Sequence, residues 1–513
     1  MDKTSLLAMY DVRGIQNYIF KTNKVREIIG ASELVENIIL NGLNYVIKSN
    51  NWDKTIYLTD WENDDAEAFL NNDNIRMQVL FIGGGNAYVL FRDAEICQKV
   101  NRALGKYVLE NTYSLNLAVS VVNKTDDYSK DYKNINLKMM DIKSKMPKSM
   151  PMGAFPFMDT DHSTGYPLSK YDHATKDYIS TESELKRKHV VAEDEVAKIL
   201  DNMVTQKGDN SFLAVVHIDG NSMGNRIKGI MEGKTEYVDA IRTMRIISKT
   251  LKNEFNCCYE NMCKKIDEEF GEANSKKAMY RKIIVAGDDI TFICNAKIAV
   301  FAVTEFLKLV AERNMYADDK LTDEDNRKKY AMSACAGIAF FKSHFPFSDA
   351  YEVAEACCSN AKKQAKKAEN RHDGKTDGMI GCYLDYQLCT HIKATDLEEY
   401  RYRNYAMADG KSMIYRPYYV SSTSYDGLFD INERNRNWDI EKVLWENIKV
   451  FSDDEESRSK YKKLRNTFSF GLNKVDEEVV FLNSRKTKLP DTPKGSWYDA
   501  LEIVDICELG GKR

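Results

Sequence analysis

Residues 283–294 read IIVAGDDITFIC, and they place two adjacent carboxylates, Asp288 and Asp289, between two short apolar runs. Ile283–Ala286 and Ile290–Cys294 are rich in β-branched residues and carry no charge, which is the pattern of buried strands. Gly287 suits the tight reversal between them, where most side chains meet steric resistance. The stretch predicts a β-hairpin with two acids at its tip. Neighbouring carboxylates repel each other, so such a tip calls for a cation, and a divalent metal is the commonest partner of clustered oxygen ligands.

Working outward, residues 211–229 read SFLAVVHIDGNSMGNRIKG. Phe212–Ile218 predicts a fully buried strand that ends at Asp219. Gly220 and Gly224 make the following loop compact and offer backbone N–H groups that suit phosphate oxygens. A strand ending in Asp, then a helix, then an acid-tipped hairpin is the layout of a polymerase or cyclase palm. Asp219, Asp288 and Asp289 are the predicted catalytic and metal-binding residues, for two magnesium or manganese ions. Such a site activates a ribose hydroxyl and neutralises a triphosphate for in-line displacement. An ordinary Asp-rich turn accounts for AGDD taken alone; Asp219 at the end of the preceding strand weighs against that reading.

The chain has 513 residues, enough for two to four domains. Its formal charge of −4 gives no global basic field, so any nucleic-acid contact is expected to be local. The eleven cysteines include the neighbours Cys257–Cys258 and Cys357–Cys358 and form no CxxC. That speaks against a disulfide framework and a cysteine zinc site and for a reducing, cytoplasmic setting. The opening MDKTSLLAMYD turns acidic too early for a signal peptide, and no apolar run reaches membrane-spanning length.

The predicted fold class is α+β, with two ferredoxin-like βαββαβ palm domains. Residues 1–122 form the first: strand Leu6–Val12, helix Val25–Ile47, strands Met77–Ile82 and Tyr88–Phe91, helix Ala94–Val108, strand Leu115–Val122. Residues 210–389 repeat the plan, with helices at 235–269, 298–313 and Asp349–Ala368 and a strand at Ala331–Phe340 after the charged insertion ADDKLTDEDNRKK. The hairpin turns align, Gly83-Gly84-Gly85-Asn86 with Ala286-Gly287-Asp288-Asp289. The first palm keeps the turn without the acids and is read as degenerate; this internal repeat is the main organising signal. Residues 123–209 are expected to connect the palms, with a helix at Glu182–Met203. Residues 390–513 are expected to form a small α-helical C-terminal domain, most clearly where Ile440, Val443, Leu444 and Ile448 recur at helical spacing beside Trp438 and Trp445.

Several stretches together resemble the large polymerase/cyclase subunit of type III CRISPR effector complexes and its stand-alone relatives. DVRGIQNYIFKTNKVREIIGASELVENI, residues 11–38, is similar to that family's palm opening. IDGNSMG at 218–224 resembles its DGDxMG motif, and VAGDDI its GGDD motif. The segment from Ser333, SACAGIAFFKSHFPFSDAYEVAEACCSNAKKQAK, resembles its last palm strand and helix. The resemblance implies synthesis of 3′–5′ phosphodiester bonds from ATP with pyrophosphate release, giving cyclic di- or oligonucleotide second messengers in antiviral defence. It places Asp219, Asp288 and Asp289 on the metals and Gly287 close to the nucleotide. Ala286 departs from the first glycine of GGDD, and Asn221 stands where DGD has an acid. No HD nuclease precedes the first palm here, which points to a stand-alone synthase. Two alternatives stay open: a diguanylate-type cyclase using GTP, and a non-catalytic palm scaffold that binds RNA or protein in an effector complex.

Gly220, Asn221, Gly224, Gly287, Lys363 and Lys366 are the predicted nucleotide-binding residues. The lysines come from a cluster, Lys362, Lys363, Lys366 and Lys367, at the end of the 349–368 helix, where the helix dipole alone also favours cations. Expected partners are nucleoside triphosphates and an RNA or effector-protein activator. His217 is read as a packed histidine, and Asp159, Asp161 and His162 as a solvated loop. The basic run SRSKYKKLRNTF, residues 457–468, is read as an exposed helix face.

Overall fold

The computed structural model describes residues 5–83, 85–146, 155–173, 175–189, 203, 212–271, 279–315, 330–343, 345–367, 381–389, 397–421 and 439–510. Residues 190–202 of the expected 182–203 helix, the charged insertion 317–329, and Trp438 lie outside them. The chain divides into two compact units, residues 1–197 with 222–253, and 198–221 with 254–513.

The first unit holds β1 (Leu6–Arg13), α1 (Val25–Glu36), α2 (Ile38–Ser49), β2 (Met77–Gly83), β3 (Asn86–Phe91), α3 (Ala94–Thr112), β4 (Asn116–Asn123) and α4 (Tyr128–Lys145). The expected single helix over 25–47 is thus two, with Asn37 between them. The sheet order is β2-β3-β1-β4, with a two-residue strand, Tyr57–Leu58, added beside β2. That is the ferredoxin-like order, with antiparallel neighbours throughout the four main strands. Asp93 and Asp127 cap α3 and α4 by accepting from the Ile96 and Lys130 backbone N–H groups. The expected connector thus supplies α4, which packs on β4, and a hairpin, Leu168–Asp172 with Asp177–Ser180. Asp161, read from sequence as solvated, is 5% exposed and accepts from the Ser180 and Ser183 hydroxyls.

The second unit holds β5 (Phe212–Gly220), the C-terminal part of α5 (Tyr237–Phe270), β6 (Tyr280–Ala286), β7 (Asp289–Asn295), α6 (Ala299–Ala311), β8 (Ala334–Lys342), α7 (Phe347–Ala365), β9 (Cys382–Cys389) and β10 (Tyr418–Val420). The sheet runs β10-β9-β8-β5-β7-β6, so β8-β5-β7-β6 repeats the ferredoxin-like order. β5 is central and carries an unbroken apolar run because both of its faces are covered; residues 213–218 are all buried. Tyr259 of α5 meets Phe292 on one face, and α7 lies across the other. Gly337 in β8 explains how close α7 comes: a Cβ there would sit 1.9 Å from the Ala354 carbonyl and 2.4 Å from the Cys358 nitrogen.

Two strands of this unit were not expected. β9 runs parallel to β8 after α7, and β10 of the C-terminal region pairs with β9. The region 390–513 is mainly helical, yet it completes the palm's sheet and packs in the same unit. A buried ion cluster holds it, in which Arg416 Nη1 lies 2.8 Å from both Asp499 and Glu502, and the Tyr386 hydroxyl of β9 donates to the Asp499 carbonyl at 2.8 Å. All eleven cysteines are free. Among the described residues no helix is long and apolar enough to cross a membrane.

Candidate active site

Strand register brings the acids together. Asp219, at the end of β5, lies directly opposite Asp289, the first residue of β7. Residues directly opposite in an antiparallel pair share one face with Cα atoms about 4.5–5.5 Å apart. Asp288 sits in the turn before Asp289, and Gly287 at +65° in φ provides the reversal. The turn is fastened to β5 by the Gly220 N–H, which donates to the Asp288 carbonyl at 3.2 Å. Burial in this turn, with Asp219 and then Asp289 nearby, pushes the Asp288 carboxyl up to about 7.

The other side of the site comes from α7. Tyr351, Glu355 and Lys362 recur at helical spacing and share a face. Lys362 Nζ lies 2.5 Å from Asp219 Oδ2 and donates to the Gly220 carbonyl at 2.9 Å. Burial alone would lower the lysine's pKa, but Asp219 outweighs it and holds the ammonium above its ordinary value. His217, two residues before Asp219 and on the same face, has Nδ1 3.3 Å from Thr291 Oγ1 and 3.5 Å from Asp289 Oδ1. Burial depresses its pKa, so the imidazole is neutral at pH 7. The Tyr351 ring meets it edge-on at 5.6 Å. Burial raises the Glu355 carboxyl, and Asp289 adds to the shift.

The predicted nucleotide-binding residues fare unevenly. Gly287 stands at the open tip, with no atom within 4 Å of where a Cβ would be. Asn221 is 2% exposed; its side-chain amide donates to Ser333 Oγ and the Gly381 carbonyl, each at 3.1 Å. Its backbone N–H goes to the Ser333 carbonyl at 2.9 Å. The N–H groups of Gly220 and Asn221, expected to face phosphate, are thus used inside the fold. Gly224 lies in the helix Met223–Met231 and belongs to the first unit. Lys363 and Lys366 are exposed, and no ion pair joins them to Asp219, Asp288 or Asp289. Lys362 is the cluster member that reaches the acids. The signal for it was present: Lys362 follows the buried Cys358 by one helical turn, whereas Lys363 and Lys366 rotate away.

Asp219 and Asp289 offer carboxylate oxygens, the kind of donor a hard divalent cation takes. Among the described residues no three histidine, cysteine or acidic side chains form a metal-holding group. Magnesium rarely needs one, since it binds through one or two carboxylates and completes its shell with water and substrate phosphates.

The first palm has the corresponding positions with different chemistry. Asp11 lies opposite Asn86 in the register that pairs Asp219 with Asp289. Gly85 takes the place of Asp288, at +79° in φ.

Comparison with known proteins agrees with this architecture. Residues 212–371 match the family model of Cas10/Cmr2, second palm domain. No curated protein matches the chain. Among solved structures, that of Csm1 in T. onnurineus aligns over 98% of this chain and 70% of its own, at 12% identity and a TM-score of 0.46. A Csm1–Csm4 cassette in complex with cA4 aligns over 98% and 69%, at 14% identity and a TM-score of 0.42. The apo cassette gives 98% and 70%, 13% and 0.45. At such scores these superpositions carry no weight of their own. Residues 212–371 are thus similar to the second palm domain of Cas10/Cmr2.

Proposed function

We propose that the second palm is a metal-dependent nucleotidyltransferase that joins nucleoside triphosphates, ATP foremost, into cyclic di- or oligonucleotides. The observation that carries this reading is the register pairing of Asp219 with Asp289 beside Asp288, whose carboxyl is pushed up to about 7 by burial and by its acidic neighbours. Pairing Asp219 with Asp289, next in sequence to Asp288, is costly in charge, and that cost points to a bound cation. Asp219, Asp288 and Asp289 would hold magnesium or manganese, which when bound neutralises the triphosphate and activates the attacking hydroxyl.

The chain's own residues divide the remaining work. His217, bonded to Thr291 Oγ1, places its Nδ1 3.5 Å from the Asp289 carboxylate. Gly287 leaves the tip open for close approach of a nucleotide. Lys362 presents an ammonium at the same edge, suited to triphosphate oxygens. In the reaction a ribose hydroxyl oxygen forms a bond to the α-phosphorus of a second triphosphate. The bond from that phosphorus to pyrophosphate breaks, and the hydroxyl proton passes to solvent or a carboxylate. Ring closure repeats the same step within one chain of nucleotides.

The test is product analysis. Purified protein is incubated with magnesium or manganese and each nucleoside triphosphate, alone and mixed, and the products are read by mass spectrometry. The expected result is a cyclic product from ATP, absent in the Asp288→Ala, Asp289→Ala double variant. A cyclic product from GTP instead would favour the diguanylate-type alternative. A product undiminished in the double variant would refute the site.

A further inference from the structure

We infer that Lys362 is an internal cation that occupies Asp219 in the nucleotide-free palm, so that metal and nucleotide must bind together. This rests on the proposed function above. The ammonium of Lys362 lies 2.5 Å from Asp219 Oδ2 and is anchored by the Gly220 carbonyl at 2.9 Å. The lysine side chain is 18% exposed, against 42% for Asp219, so the pair is held from the protein side and open on the carboxylate side. Lys362 also lies in the last turn of α7, where the helix dipole favours a cation.

The first palm shows that this pair forms without any metal chemistry. Lys143 of α4 pairs with Asp11 of β1. Each lysine lies fifteen residues after the first residue of the helix that follows the last palm strand, α4 in one case and α7 in the other. Each partner is the acid opposite the start of the hairpin's second strand. Where Asn86 and Gly85 replace the hairpin acids, the Asp–Lys pair persists. It is therefore the resting state of this kind of palm, and in the second palm it engages a residue that a metal ion needs.

An ammonium and a divalent cation compete for one carboxylate and repel each other across it. A triphosphate changes the balance, because its oxygens give Lys362 another partner and complete the metal's shell. Metal affinity of the nucleotide-free palm is then low, and nucleotide raises it. By linkage, metal raises nucleotide affinity by the same factor. A palm built this way holds no exposed, charged metal centre between turnovers.

The experiment measures Mn2+ uptake by the loss of the free-ion electron paramagnetic resonance signal, without nucleotide and with a non-hydrolysable ATP analogue. Wild type, Lys362→Met, Lys362→Gln, Lys362→Arg and Lys363→Met are compared, with circular dichroism confirming that each is folded. Without nucleotide, Lys362→Met and Lys362→Gln are expected to bind Mn2+ roughly tenfold more tightly than wild type, about 1.4 kcal/mol. Lys362→Arg, which keeps the charge, and Lys363→Met, which removes an exposed one, are expected to stay near wild type. Adding Asp219→Asn to Lys362→Met should abolish the gain. Equal affinities across the set, or an equal gain in Lys363→Met, would overturn the inference. If wild type still takes up Mn2+ with the analogue in that case, the proposed function stands and only the role of Lys362 falls. If no protein takes up Mn2+ even with the analogue, both fall.

Discussion

Asp288 sets the electrostatic character of the tip. Its carboxyl moves from an ordinary value of 3.8 to about 7, first through burial and then through Asp219 and Asp289. A carboxyl raised on folding binds its proton more tightly in the native state. The stability it contributes is fully present below pH 4 and is lost as pH rises through about 7. In metal-free buffer, the melting temperature of wild type should therefore fall more between pH 5 and pH 8 than that of Asp288→Asn. Parallel curves for the two proteins would show that Asp288 titrates normally. The same shift makes metal affinity rise with pH up to about 7 and level off above it, because the ligand must lose its proton first. Burial lowers the His217 pKa, so its imidazole is neutral at the upper end of this range.

At the scale of elements, α7 controls the site, because it carries Lys362 and lies on the sheet face that holds Asp219 and His217. Its seat is Gly337. A methyl group there would press on backbone atoms of Ala354 and Cys358, which cannot turn aside as a side-chain tip could. Gly337→Ala should cost about 1–3 kcal/mol by overpacking and should reduce synthesis by lifting α7 from β5. Gly224→Ala, with nothing within 4 Å of the added carbon, is the control and should change stability little. Urea denaturation separates the two; equal midpoints would contradict the packing argument. This element also marks the limit of what the sequence conveyed. The apolar runs and Asp-tipped hairpin of β5, β6 and β7 were legible because buried strands and glycine turns leave local signatures. The pairing of Lys362 with Asp219 was not, because it depends on how α7 is rotated over β8, and Gly337 sets that contact at long range. The strand β9, CYLDYQLC, lacked a clear period because it is buried almost throughout.

For the whole molecule, the central feature is a fold used twice with one set of acids. Both sheets share strand order, hairpin register and an Asp–Lys pair, and they differ at Gly85 and Asn86 against Asp288 and Asp289. The repeat was readable because the two turns align in sequence. The attachment of the C-terminal region was hidden, since a three-residue strand and a buried arginine cluster have no local pattern. Arg416 and its partners Asp499 and Glu502 are more than eighty residues apart, and the Tyr386 hydroxyl of β9, donating to the Asp499 carbonyl at 2.8 Å, ties that region to the palm's sheet. The account makes metal chemistry the property of the second palm alone. Its most direct test is anomalous diffraction from crystals grown with Mn2+ and a non-hydrolysable ATP analogue. The account predicts manganese bounded by Asp219 and the hairpin acids Asp288 and Asp289, and none beside Asp11 and Asn86. Manganese at Asp11, or at neither palm with the analogue bound, would contradict it.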